Sequence, residues 1–253
     1  MRVLLLGGST EASGLAMALA SDPRFDVVLS LAGRTAAPRA QPTQTRSGGF
    51  GGVGGLVRYL QSEGITILLD ATHPFATQMS RNAIEGALIA RIPLLAVERP
   101  PWEKQSGDRW IEVQDIPSGV RALGSEARRV FCGIGSLALR DLQAARQHSY
   151  IIRLIDAPPL PLQLPNITLI RARGPFSAEN DIRLFQEHRI EVILAKNSGG
   201  SATVSKIAAA RALALPVIML ERPLIPPRPK VATVKEALIW LDSHYDDSML
   251  RGV

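Results

Sequence analysis

The residues of this chain that could do chemistry gather in short, glycine-marked stretches. The first is Gly7-Gly8-Ser9-Thr10-Glu11-Ala12, between an apolar run and a helical pattern. Glycines there let the backbone approach a phosphate, and the helix N-terminus behind them offers N–H groups and the positive end of its dipole. Ser9 or Thr10 can cap the helix or bond a ligand. The dinucleotide fingerprint G-x-G-x-x-G is not met, because Ser9 and Ala12 stand at its later glycine positions. A plain tight turn accounts for the same residues. The second stretch is Leu31-Ala32-Gly33-Arg34-Thr35. An acidic residue there would bond the ribose 2′-hydroxyl of NAD, whereas Arg34 is the type that accommodates a 2′-phosphate, so NADP is favoured. The third, Arg46 to Gly55, has six glycines in the eight positions from Gly48. Such a run costs backbone entropy. It marks a place where backbone meets ligand, with Phe50 as a flat apolar surface, or else a flexible linker.

The fourth stretch is Asp70-Ala71-Thr72-His73-Pro74-Phe75. His73 is the only histidine in these stretches, and it could give or take a proton near neutral pH. It could equally hold its loop by bonding backbone. Further along, Lys196-Asn197-Ser198-Gly199-Gly200 occupies the corresponding place, and Lys196 could meet an anionic ligand as a point charge. Other chemistries find no support. There is no G-x-x-x-x-G-K-[ST] phosphate loop and no G-x-S-x-G nucleophile elbow. A single cysteine, Cys132, excludes internal disulfides and Cys-built metal sites, and no two of the four histidines stand at metal-ligand spacing. No metal is expected.

The elements that must position these stretches occur twice. Arg129-Val130-Phe131-Cys132-Gly133-Ile134-Gly135-Ser136 echoes Arg2-Val3-Leu4-Leu5-Leu6-Gly7-Gly8-Ser9. Arg58-Tyr59-Leu60-Gln61 is echoed by Arg183-Leu184-Phe185-Gln186, and Pro93 to Pro100 by Pro216 to Pro223. The offsets are 127, 125 and 123, in order, so the chain consists of two similar halves. A weaker echo sets Val113 and its following helix against Val231 and its following helix. Strands are expected at Arg2 to Leu6, Asp26 to Leu31, Ile65 to Asp70 and Leu94 to Glu98, with helices at Glu11 to Ala20, Gly55 to Glu63 and Gln78 to Ala90. In the second half strands are expected at Val130 to Cys132, Tyr150 to Leu154, Glu191 to Ala195 and Val217 to Leu220. Continuous apolar runs alternating with helices predict parallel strands buried on both faces. The fold class is therefore α/β: two Rossmann-like, doubly wound parallel sheets from an internal duplication, with a cleft between them. The expected domains are 1–127 and 128–253, with 101–127 either a linker or packed on the other half. The helices after Val113 and Val231 could even be exchanged between halves. Ligands of such sheets bind at the carboxyl ends of the strands, where the four stretches lie.

Composition narrows the partners. With 253 residues, 46% hydrophobic and 21% charged, the chain can bury a sizeable core. No apolar run reaches the ~18–20 residues of a membrane helix. The apolar start, Met1 to Gly8, is too short for a signal peptide and reads as a buried strand. A cytoplasmic location and no membrane partner are expected. The formal net charge is +6, and 24 of the 29 basic residues are Arg. Arg forks bind carboxylate and phosphate bidentately, which suits a polyanionic ligand; genome base composition produces the same bias. The bases are dispersed singly, without the blocks of nucleic-acid binders, so no nucleic-acid partner is expected. The residues by themselves leave a nucleotide-dependent enzyme with an anionic second ligand, another NADP-dependent reductase, or a non-catalytic NADP-binding protein.

Taken together, the stretches resemble the precorrin-6A reductase family of cobalamin (vitamin B12) biosynthesis. The resemblance is carried by Leu5 to Ala12, Ser30 to Thr35, Gly48 to Gly52, Asp70 to Ala76, Arg173-Gly174-Pro175-Phe176 and Lys196 to Gly200, with Arg99-Pro100-Pro101-Trp102 and Gly107-Asp108-Arg109-Trp110. The departure is Cys132 to Leu137, where a Thr-Gly-Arg type of loop would be expected. The resemblance implies NADPH-dependent reduction of one double bond of the precorrin-6A macrocycle to the dihydro product, precorrin-6B. The partner would be a tetrapyrrole bearing several carboxylates, with transient hand-over to other enzymes of the pathway. On that reading, cofactor contacts are expected at Gly7, Gly8, Ser9, Thr10, Glu11, Gly33, Arg34, Thr35, Ala71 and Thr72. Substrate contacts are expected at Arg46, Gly49, Phe50, Arg153, Arg173, Lys196, Asn197 and Ser198. His73 is the candidate proton donor.

Overall fold

The computed structural model describes residues 1–33, 38–157 and 163–250. In chain order the elements are β1 (Arg2–Leu6), α1 (Thr10–Leu19), β2 (Asp26–Leu31), β3 (Gln44–Ser47), α2 (Gly52–Ser62), β4 (Ile67–Asp70), α3 (Thr77–Ala90) and β5 (Leu94–Val97). Next come β6 (Arg109–Val113), α4 (Ile116–Ala122), β7 (Arg129–Gly133), two 3₁₀ turns (Ser136–Ala138 and Asp141–Ala145), β8 (Ser149–Leu154), β9 (Ile167–Arg171) and α5 (Ala178–Glu187). The chain closes with β10 (Val192–Lys196), α6 (Ser205–Ala212), β11 (Pro216–Leu220), β12 (Lys230–Val231) and α7 (Val234–Leu250). Among the described residues no helix is long and apolar enough to cross a membrane.

Two six-stranded sheets result, ordered β12-β5-β4-β1-β2-β3 and β6-β11-β10-β7-β8-β9, and every recorded strand pair is parallel. Both are Rossmann-like. In the first sheet the alternation of β1 explains the layering: Val3 and Leu5 face α1 and α7, while Leu4 and Leu6 face α2 and α3. Both faces are covered, which is why the strand reads as an unbroken apolar run. The second sheet has the same logic, with Phe131, Ile193 and Val217 packed against Phe185, Ile207 and Ala210.

The domain boundary differs from the one expected at 127/128. The compact units are Met1–Pro100 with Pro223–Val253, and Pro101–Arg222. The last strand and helix of each sequence half belong to the compact unit of the other half. β6 follows β5 in the chain but pairs with β11 (Trp110↔Val217, Ile111↔Ile218), and β12 follows β11 but pairs with β5 (Lys230↔Ala96). Burial enforces the exchange: Ala237 and Leu241 of α7 are fully buried in the first core, and Trp110 of β6 lies in the second. The edge strands β3 and β9 were not anticipated. Gln-Thr-Arg-Ser of β3 carries no apolar alternation because most of it is exposed. Helix α2 begins earlier than expected, so three of the six clustered glycines are helical. Gly55 is required there: a Cβ would stand 1.6 Å from the Phe50 carbonyl oxygen.

A buried histidine below β8 ties stability to pH. His148 is 0% exposed, and its Nδ1 accepts from the Arg128 N–H at 3.2 Å. Burial, aided by the nearby Arg128 charge, holds its pKa below the usual value. The unfolded chain, with a histidine pKa of about 6.5, therefore binds the proton more readily. The stability contribution is fully present above that value and is lost as pH falls toward the folded-state pKa. Urea unfolding at pH values on both sides of it should show this acid limb. His148→Asn, which keeps an acceptor for Arg128 and removes the titration, should flatten it; an unchanged limb would assign the effect elsewhere.

Candidate active site

The carboxyl end of β1 begins the site. Gly7 N–H donates to Ser30 O at 2.9 Å, and a Cβ on Gly7 would meet Leu29 Cδ1 at 2.6 Å. Gly8 is exposed with φ +119°, and a Cβ there would meet nothing within 4 Å, so open space faces the backbone where a ligand would lie. Ser9 is the N-cap of α1: its Oγ accepts from Ala12 N–H at 3.1 Å and donates to Ala71 O at 2.7 Å, joining this loop to the one after β4. Thr10 is exposed, and its hydroxyl reaches Glu11 Oε1 at 3.1 Å. Glu11 pairs with Arg99 Nη1 at 2.5 Å, both side chains largely covered. Burial acts to raise the Glu11 pKa, but its own backbone N–H and the Arg99 guanidinium prevail and hold it below the ordinary carboxylate value. A carboxylate in the first helical turn suits the dipole but would repel an incoming phosphate; Arg99 cancels that charge. The sequence marks Arg99 in a repeat and in the family resemblance but gives it no role, because its partner lies far away in the chain.

The loop after β4 is built on Asp70. Its Oδ1 accepts from Thr72 N–H at 3.1 Å and Thr72 Oγ1–H at 2.7 Å. Ala71 is buried, with its N–H donating to Leu6 O at 3.0 Å and its carbonyl accepting from Ser9, so its backbone serves the loop. His73 Nδ1 accepts from Phe75 N–H at 3.2 Å. A neutral ring with Nδ1 as acceptor carries its proton on Nε2.

The glycine stretch is organised by Arg46. Its Nη1 donates to Ser30 Oγ at 2.7 Å and Gly48 O at 3.1 Å, and its Nη2 to Gly49 O at 3.3 Å. The guanidinium lies 4.0 Å from the Phe50 ring centroid and 5.0 Å from that of Tyr59. Arg46 thus acts as a strut for its own loop. Gly33, at φ +71°, packs near Ser47 and Gly48, and the Gly48 N–H donates to Leu31 O at 2.9 Å. Arg34 and Thr35 lie outside the described residues.

In the second unit three expected substrate contacts, Arg153, Asn197 and Ser198, have partners within the protein. Arg153 is enclosed: its Nη1 lies 2.5 Å and its Nη2 3.3 Å from the Asp181 oxygens, Ser205 Oγ donates to the same carboxylate at 2.6 Å, and Phe176 covers the guanidinium at 3.7 Å. A buried cation needs a fixed counter-charge, and Asp181 supplies it. Asn197 spends both ends of its amide on the Trp102 backbone, accepting from Trp102 N–H at 2.7 Å and donating to Trp102 O at 2.9 Å. Ser198 is buried, and its carbonyl accepts from Arg222 Nη2 at 3.1 Å. Lys196, half-buried at the end of β10, and Arg173, exposed, remain at the carboxyl edge of this sheet. Sequence reasoning gave no site role to Trp102, quoted only for the resemblance, and missed Lys206. The Trp102 indole donates to Gly200 O at 2.8 Å, and the buried Lys206 ammonium lies 4.5 Å from its ring while donating to Thr203 O at 2.6 Å. The atypical stretch from Cys132 leads into 3₁₀ turns of three and five residues. It therefore lacks the α-helix N-terminus that backs the first unit's loop. Cys132 itself is buried, and burial pushes its thiol pKa up, so it offers no thiolate. A cavity of about 250 Å³ lined by Leu60, Gln61, Gly64, Ile65, Thr66, Ala90 and Ile92 opens at the amino edge of the first sheet, away from all these loops.

Comparison with known proteins decides the family. The sequence profile of precorrin-6x reductase CbiJ/CobK matches residues 2–242. The chain belongs to the precorrin-6x reductase family. A precorrin-6A reductase of Rhodobacter capsulatus is 50% identical over 243 residues, covering 96% of each chain. A precorrin-6A reductase of Sinorhizobium is 49% identical over 237 residues, covering 94% of this chain and 91% of that one. A cobalt-precorrin-6A reductase of Priestia megaterium is 27% identical, covering 88% and 91%. The solved structure of a CobK precorrin-6A reductase superposes with a TM-score of 0.92 at 50% identity, covering 96% of this chain and 97% of that one. As a family member this reductase is an oxidoreductase of cobalamin biosynthesis.

Proposed function

We propose that this reductase uses NADPH to reduce one double bond of precorrin-6A, giving the dihydro product precorrin-6B. The observation that carries the cofactor is the loop after β1: an exposed Gly8 with open space before it, a capped helix N-terminus behind it, and a first-turn carboxylate neutralised by Arg99. Those residues fit a pyrophosphate. When bound, NADPH supplies the hydride. Gly8, Ser9 and Thr10 would hold its phosphates, and Arg34 the 2′-phosphate. Lys196 and Arg173 meet substrate carboxylates from the second sheet, while Arg46 keeps Gly49 and Phe50 in shape. His73 would act as the acid in its imidazolium form, giving the Nε2 proton to an atom beside the carbon that receives the hydride and returning to neutral imidazole. Orientation of the reactants accounts for most of the remaining work. The cobalt-free macrocycle is favoured because the relatives at 50% and 49% identity are precorrin-6A reductases, whereas the cobalt-precorrin-6A reductase named above stands at 27%.

The test is NADPH oxidation by the purified protein with enzymatically prepared precorrin-6A, with NADH in parallel. Oxidation should require the macrocycle and prefer NADPH, and Arg34→Ala should lose the preference. NADPH binding without turnover would sink the substrate and turn attention to the cobalt form. No NADPH binding would sink the cofactor.

A further inference from the structure

Three charged side chains meet under the loop after β4. The Arg228 side chain is 7% exposed, that of Asp70 1% and that of Glu98 20%. Arg228 Nη2 lies 3.2 Å from Glu98 Oε2 and 3.8 Å from Asp70 Oδ2. Asp70 Oδ2 and Arg228 Nε are both buried without a hydrogen-bond partner. A cluster satisfied this incompletely is a poor source of stability, since apolar side chains of similar volume serve as well or better. Its value lies in what it holds. The other oxygen of Asp70 accepts both the N–H and the hydroxyl of Thr72.

Arg228 reaches this place through the exchanged strand. It stands between Pro227 and Pro229, which stiffen the segment and keep the residue before the second proline extended. The carbonyl of Pro229 accepts from Ala96 N–H at 2.9 Å, and that of Val231 from Glu98 N–H at 2.9 Å. The register of β12 on β5 therefore delivers the guanidinium to the two carboxylates.

We infer that Arg228 is a positioning residue for the Ala71-Thr72-His73 turn, acting through the Asp70 carboxylate. The charge of Arg228 holds Oδ2, so Oδ1 stays aimed at Thr72, and the turn that carries the cofactor contact and the proton donor keeps its shape. The consequence for ligand binding rests on the NADPH reading above; the positioning does not.

Amide exchange followed by mass spectrometry on the ligand-free, full-length protein tests this directly, with NADPH affinity measured on the same samples. In Arg228→Met, exchange in the peptide spanning Asp70 to Phe75 should accelerate ~tenfold or more, the effect expected for loosening bonds to a charged acceptor. Arg228→Lys, which keeps the charge, should restore most of the protection, and NADPH affinity should fall and recover in step. If Arg228 only straps β12 to β5, exchange will rise at Ala96 and Glu98, whose N–H groups donate to Pro229 O and Val231 O, while the Asp70 to Phe75 peptide stays protected; that result overturns the inference. Should Arg228→Met fail to fold, Asp70→Asn takes its place, and unchanged exchange at Thr72 in that variant is equally fatal. Accelerated exchange in a protein whose wild type does not bind NADPH supports the positioning role and refutes the cofactor reading.

Discussion

His73→Ala should lower the rate of hydride transfer in a single turnover by ~10²–10⁴, the range for loss of a positioned general acid. The geometry explains why this ring can hold that role. Phe75 N–H donates to Nδ1, which orients the ring; to act as the acid the ring takes up a second proton, at Nδ1, and gives up this bond. Phe75 also lies beside the ring, with centroids 5.8 Å apart. The bonds from Thr72 to Asp70 brace the turn. Single turnover is the proper readout because product release can mask chemistry in the steady state. NADPH affinity should stay near wild type, since in the proposed reaction the ring acts on the macrocycle. A loss under tenfold would leave His73 as a loop residue that bonds backbone, with a ring nitrogen of the substrate or water delivering the proton.

Asp181→Ala should destabilise the second unit by ~3–5 kcal/mol, the cost of leaving a buried ion without its partner. The Arg153 guanidinium lies 5.0 Å from the Phe131 ring and 3.7 Å from that of Phe176, and its side chain is only 9% exposed. With Asp181 gone it has nowhere to find solvent. Denaturant unfolding gives the number. The paired replacement Arg153→Met with Asp181→Leu should recover much of the loss, because both charges leave together. The same experiment settles a functional question. If Arg153 touched substrate carboxylates, Arg153→Lys would raise the substrate KM and leave stability alone; the enclosed geometry predicts the reverse. A large KM effect in a fully stable variant would return Arg153 to the substrate site.

Much of this protein is decided locally and so was legible in the chain. β1, β2, β8, β10 and β11 are short apolar runs because both faces of each sheet are covered, and such runs read the same in sequence as in space. The glycine loop after β1 and the duplication were visible for a similar reason: backbone freedom and repeated spacing are properties of adjacent residues. Arginine alone could not disclose its role. Arg46, a candidate ligand contact in the sequence, braces its own loop, and Arg153, a candidate for a substrate carboxylate, is paired with Asp181. A guanidinium takes the anion or carbonyl that folding brings within reach, and that partner is set by packing between residues distant in the chain. Asn197 shows the same dependence, since Trp102 comes from a separate segment.

The sequence by itself therefore determined the α/β class, the two halves, the loops at the strand ends and the family they resemble. Tertiary structure alone decided where each half ends, because β6 and β12 are short edge strands whose pairing depends on which open sheet edge receives them. It also decided which charges pair with one another. Arg99, Asp70 and Arg228 acquire their roles only when β5, β4 and the segment before β12 lie side by side, a proximity that no local spacing encodes.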